Sequence, residues 1–170
     1  MNKLTILILS GILWVSAALA SELITCFTPG EKCTDLIVTQ IAEAKKSIYV
    51  QAYGFTSQPI IEAVGNAKVR GLEVKIILDK VNETEKQGNG AKYLRSKNID
   101  VLIDNKVAIA HNKVIVIDDK NIITGSFNFT KSAQDRNAEN VLIILDDQTI
   151  AKKYIANWEK RAAVSKKLKE

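Results

Sequence analysis

The stretch HNKVIVIDDKNIITGSFN, from His111 to Asn128, contains the single histidine of the chain, with Lys113, Ser126 and Asn128 close by. Together these residue types suit a phosphodiester. An ammonium neutralises non-bridging phosphoryl oxygens and a hydroxyl and an amide donate hydrogen bonds to them. An imidazole, near neutral pKa, can attack phosphorus or pass a proton. Residues two apart on a strand share a face, so His111 pairs with Lys113 and Ser126 with Asn128, among the apolar residues Val114, Val116, Ile122 and Phe127. Asp118 lies at an odd offset from Lys113 and falls on the other face of an unbroken strand, where it shapes the turn or pairs structurally. Glu139 is the better carboxylate partner for the imidazole, which needs one ring nitrogen held protonated so that the other is free. The difficulty is arithmetic: phosphodiester cleavage usually wants two proton-handling groups, and there is one histidine.

These residues need a scaffold. At 170 residues and 46% hydrophobic content the chain can bury one good core, so a single domain over residues 21–170 is expected. TDLIVTQIAEAKK sets Leu36, Ile37, Ile41 and Ala44 at helical spacing, and SIYVQAYGF follows as a strand. SQPIIEAVGNAKVRG has Pro59 near a helix start and Gly71 at its stop, and EVKIILD is the next strand. Residues 82–90 read as a mobile loop, followed by a short helix around Ala91 to Ser96 and a strand at IDVLID. HNKVIVI and NIITGSFN then form a hairpin through the turn from Asp118 to Asn121, and AENVLIIL is a further strand. A helix over 148–160, capped by Asp147, presents Ile150, Tyr154, Ile155 and Trp158 to the sheet. The alternation predicts an α/β layered domain. The basic tail KRAAVSKKLKE is a solvated, frayed helix end or a contact for nucleic acid or membrane.

The first 20 residues combine Lys3, an apolar run from Leu4, and Ala18 and Ala20 spaced as a small-residue cleavage site. They read as a signal peptide, with an uncleaved membrane anchor as the rival. The expected location is periplasmic or extracellular. Cys26 and Cys33, in CFTPGEKC, would then form a disulfide across the Pro29–Gly30 turn, a loop whose closure contributes about 2.5 kcal/mol in the chain-entropy model. Two cysteines and one distant histidine do not make a zinc site at recognisable spacing. Asp118, Asp119, Asp146 and Asp147 are scattered turn residues, a poor two-metal set. Neither metal nor cofactor is expected. The formal charge of +5 falls by one lysine if the leader is removed, a modest excess that favours anionic partners.

The pattern HxKxxxxDxxxxxxGSxN fixes six identities over eighteen positions and resembles the signature of the phospholipase D superfamily. CFTPG, QAYGFTS and GSFNFTKSAQDRNAENVLII extend the likeness over nearly all of residues 23–160, toward a short bacterial branch of secreted metal-independent nucleases and small single-motif phospholipases D. The resemblance implies a mixed central β-sheet flanked by helices on both faces. It implies a covalent phosphohistidine on His111, phosphoryl binding by Lys113, Ser126 and Asn128, and orientation of the histidine by Glu139; Asp118 and Gly125 would be structural. Longer members carry two motifs in one site, whereas the short branch forms homodimers with one motif from each subunit, so the second histidine would be His111 of another copy. The reading that follows is an exported, metal-independent endonuclease on DNA or RNA. The alternatives are a phospholipase D acting on lipid headgroups and a non-catalytic nucleic-acid-binding module. Absence of a long lid or a strongly amphipathic interfacial helix tips the choice toward nucleic acid.

Overall fold

The computed structural model describes residues 21–84 and 88–168, so the leader read as a signal peptide lies outside the described residues. In chain order the elements are β1 (Glu22–Thr28), α1 (Cys33–Glu43), β2 (Ser47–Ala52), α2 (Gln58–Val69), β3 (Glu73–Asp79) and α3 (Asn89–Ser96). They continue through β4 (Val101–Asp104), β5 (Lys113–Ile117), β6 (Asn121–Gly125), α4 (Lys131–Asp135), β7 (Glu139–Leu145), α5 (Gln148–Ala162) and β8 (Lys166–Lys167). The eight strands of the described residues join one sheet in the order β1-β7-β6-β5-β2-β3-β4-β8. β2, β3 and β4 run parallel, as their helical crossovers require, and the other pairings are antiparallel. This is the expected α/β domain with a mixed sheet between helices.

β2 is buried along its whole length, which explains its continuous rather than alternating apolar character. One sheet face, with Ile48, Val50, Ile76, Ile115, Ile123 and Ile143, packs beneath the helices of the first half of the chain through Ile37, Ile41, Ile60 and Leu94. On the other face Ala151 and Trp158 of α5 pack on Tyr49, Ile77, Val114, Val116 and Ile122. Asp147 caps α5 by accepting from Ile150 N at 2.9 Å. Near its end Arg161 forks onto the buried Asp104 with two bonds of 2.7 Å, and Trp158 Nε1 donates to Val50 O at 2.9 Å. α5 lies over β2 to β6. Among the described residues no helix covers this face of β1: Leu23, opposite Ile144, and Phe27, opposite Asn140, are 62% and 55% exposed.

Several boundaries differ from the sequence reading. The cysteine turn dominates the sequence around β1 and masks a strand that alternates, with Cys26 and Thr28 buried and Leu23 and Phe27 outside. The 82–90 loop begins with a 3-10 turn over Lys80–Glu83, capped when Asp79 Oδ1 accepts from Val81 N. The basic tail does not continue as a helix: α5 stops at Ala162, and Lys166 and Lys167 pair with β4. Cys26 and Cys33 stand as a disulfide pair, Cα atoms 5.6 Å apart, tying β1 to the start of α1.

Candidate active site

The hairpin is shorter than its sequence pattern. β5 begins at Lys113 and β6 ends at Gly125, so His111, Ser126 and Asn128 sit on the segments just beyond the strands and not on one strand face. Two local features cause this. Tyr53 N, at the end of β2, donates to Asn112 O at 2.9 Å, drawing the chain before β5 toward the β2–α2 connection. At the other strand, Gly125 has φ 141°, and a Cβ there would stand 2.2 Å from Asn140 O, so only glycine makes this corner. Beyond it the amides of Ser126 and Phe127 both donate to Asn140 O, at 3.1 and 3.3 Å.

His111 is exposed. The segment before it is fixed by Asp79, a buried carboxylate whose Oδ2 accepts from Ala110 N at 2.7 Å. Lys113 is 7% exposed and its Nζ donates to His111 O at 2.8 Å. Burial holds its ammonium below the usual lysine range, and the negative charge of Glu139 opposes that shift. Ser126 Oγ donates to Glu139 Oε2 at 2.5 Å and accepts from Asn140 N at 3.0 Å; Glu139 Oε1 accepts from Asn137 Nδ2 at 2.9 Å. Asn128 packs against Gly54, where a Cβ would stand 3.4 Å from Asn128 Cβ and 3.0 Å from Thr130 Cγ2. Its Oδ1 is buried without a hydrogen-bond partner among the described residues.

Lys113, Ser126 and Glu139 therefore form one charged and hydrogen-bonding group. Asn128, two residues beyond Ser126, packs against Gly54, and the backbone carbonyl of His111 accepts from Lys113. Within one chain the described residues show no hydrogen bond between Glu139 and His111; the Glu139 carboxylate is held by Ser126 and Asn137. Asp118 lies at the far end of β5, roughly 16 Å of strand away from Lys113. At φ 55° it turns its carboxylate onto the connection between α1 and β2, accepting from Lys45 N at 2.9 Å, Lys46 N at 2.7 Å and Ser47 N at 3.0 Å. Burial alone would raise this carboxyl, but the three amides outweigh it and hold it below the usual carboxylate range.

Sequence reasoning missed Tyr53, Asp79 and Asn82, which brace the site from the β2 and β3 ends. The one cue was an aromatic residue at the end of a strand followed by Gly54. The three-ligand grouping among the described residues is Cys26, Glu31 and Cys33, whose thiols are joined to each other.

Residues 37–162 match the family described as "Cardiolipin synthase, PLD-like domain". A phospholipase D of Rickettsia felis is 50% identical over 149 residues, 88% of this chain and 74% of that protein. Among solved structures, Nuc from Salmonella typhimurium, a phospholipase D family member, superposes with a TM-score of 0.85 at 31% identity, over 88% of this chain and 99% of that one. NucT from Helicobacter pylori gives a TM-score of 0.77 at 27% identity, over 85% of this chain and 98% of that one.

Proposed function

This chain belongs to the phospholipase D superfamily and is one of its phosphodiesterases, and from that premise we propose that it is a metal-independent nuclease acting through a covalent phosphohistidine. The observation that carries the proposal is the convergence of Lys113, Ser126 and Glu139 beside an exposed His111. An imidazole nitrogen of His111 attacks phosphorus, forming the P–N bond as the P–O bond to the leaving group breaks, and His111 of a second copy supplies the proton that the leaving oxygen takes. Water then attacks the phosphohistidine, its proton going to that same second histidine, and the P–N bond breaks. Lys113, Ser126 and Asn128 hold the phosphoryl oxygens. Glu139 has carboxylate lone pairs left after bonding Ser126 and Asn137, so it can also accept an imidazole N–H.

The single histidine supports a homodimer with a shared site. So does the apolar face of β1 that no described helix covers: exposed Phe27 pairs with Asn140, the residue whose backbone holds Ser126, so this face borders the site. An exposed nucleophile and a basic chain favour a long polyanion as substrate. Export past a signal peptide is part of the same proposal, and a Cys26–Cys33 disulfide fits an oxidising compartment.

A phospholipid headgroup is the second reading. It is favoured by the Rickettsia relative's name and by Val107 and Ile109, exposed apolar residues just before His111. Purified protein assayed side by side on DNA, RNA and phosphatidylcholine vesicles, with and without EDTA, separates the readings. Nucleic acid should be cleaved equally well in EDTA. Turnover of vesicles alone would replace the nuclease with a phospholipase D, and activity lost in EDTA and restored by magnesium would remove the metal-free mechanism.

A further inference from the structure

We propose that Tyr53 is the positioning residue of the site: its ring sets the plane of the His111 imidazole and seats the Lys113 ammonium. This rests on the reading of His111 as the nucleophile. The Tyr53 and His111 ring centroids are 4.7 Å apart with their planes at 60°, an edge-on contact of the kind aromatic rings prefer. Lys113 Nζ lies 5.5 Å from the centroid of the same ring, within cation–π range. One aromatic side chain thus touches both the group that attacks and the group that neutralises the phosphate.

An exposed imidazole has rotational freedom that must be restricted before it can attack in line. His111 makes no side-chain hydrogen bond among the described residues, and there the Tyr53 ring is the contact that restricts its orientation. A ring contact suits the chemistry, because it leaves both imidazole nitrogens available, one for phosphorus and one for a carboxylate or proton.

Tyr53 is itself braced. Its amide donates to Asn112 O, and its carbonyl accepts from Asn82 Nδ2 at 2.7 Å. Asn82 is buried and also donates to Asp79 O at 3.0 Å, while Asp79 Oδ2 holds Ala110 N. The platform and the segment carrying the nucleophile are therefore anchored to the same buried pair at the end of β3. Nothing in this arrangement needs the phenolic hydroxyl, so the role belongs to the ring.

The test compares Tyr53→Phe and Tyr53→Leu with wild type in kcat and KM on a small soluble phosphodiester, bis(p-nitrophenyl) phosphate, and in the NMR shift of the His111 ring protons. Because the chain has one histidine, those resonances need no assignment. Phenylalanine should keep kcat within about threefold and preserve the ring-current shift. Leucine should lower kcat by about 10- to 100-fold, the scale of a misplaced reacting group, with KM changed far less, and should move the imidazole resonances. If Tyr53→Leu does not fold, Tyr53→Met replaces it as a ring-free side chain of similar bulk. Wild-type kcat in a folded ring-free variant overturns the proposal, as does equal damage from phenylalanine and leucine, which would assign the role to the hydroxyl. A His111→Ala control separates the two levels: activity surviving there would end the nucleophile reading, while the ring-proton shifts of wild type and the Tyr53 variants would still report whether Tyr53 holds the imidazole.

Discussion

At the turn end of the β5–β6 hairpin Asp118 accepts three backbone N–H bonds and its carboxyl is held below the usual range, while at the open end Lys113 is buried with its ammonium bonded to a single carbonyl and held below the usual lysine range. Both residues belong to one eighteen-residue motif. At one end the fold satisfies the charge and gains stability, tying the hairpin to the start of β2. At the other it keeps a charge poorly satisfied, next to an exposed histidine and an asparagine whose Oδ1 has no partner among the described residues. On the proposed function, a phosphate brought to that end would pair with the Lys113 ammonium, so what costs stability in the free protein would become binding energy in the complex.

Mutations at the two ends should therefore split activity from stability. The largest effect is expected from His111→Ala, which should lower turnover by on the order of 10⁴-fold or more. Its melting temperature should stay near wild type, because the side chain is exposed. Asp118→Asn should do the reverse, costing about 2 kcal/mol of stability through weakened charge-assisted bonds while kcat of the folded protein stays near wild type. Its pH dependence follows from the sign of the shift. A carboxyl depressed in the folded state contributes stability that is present above its unfolded pKa and lost as pH falls through its folded pKa. The gap between wild type and Asp118→Asn should thus close on acidification in thermal melts.

Lys113→Met should sharpen the contrast: it should abolish phosphodiester turnover yet raise stability by about 1 kcal/mol, because an apolar side chain replaces a buried cation. The sign again follows from the shift. A lysine depressed in the folded state costs stability at neutral pH, and the cost fades as pH rises through its folded pKa toward the ordinary lysine value, so the variant's advantage should shrink in alkaline melts. The smallest effect belongs to Lys120→Ala, which removes the exposed Lys120–Asp146 pair beside the turn. No measurable change in melting temperature or activity is expected.

The candidate residues His111, Lys113, Ser126 and Asn128 stand out in the sequence at their spacing because the proposed phosphodiester chemistry restricts residue identity. Asp118 was legible by its odd offset, although its partners, the amides of Lys45, Lys46 and Ser47, lie more than 70 positions away and leave no local trace. The helices at α2 and α5 were marked by Pro59, Gly71 and Asp147. Short or edge elements were not. α4 has five residues, too few for a helical period, and β8 consists of two lysines. The Tyr53–His111 contact joins residues 58 apart in sequence and depends on where two loops end, which no periodicity encodes.

The central claim is that one His111 attacks while another protonates, and mixed dimers test it most directly. Wild type and His111→Ala are unfolded together at equal amounts and refolded, with random pairing verified by tagging one of the two. About a quarter of the dimers are then wild-type homodimers and about half are mixed. A mixed dimer lacks either its nucleophile or the general acid, a proton-transfer role worth about 100- to 10,000-fold, so it should contribute almost nothing. Total activity should therefore fall to about a quarter of that of the same amount of wild type. Activity holding at about half would mean that each His111 works alone, and would contradict the shared site.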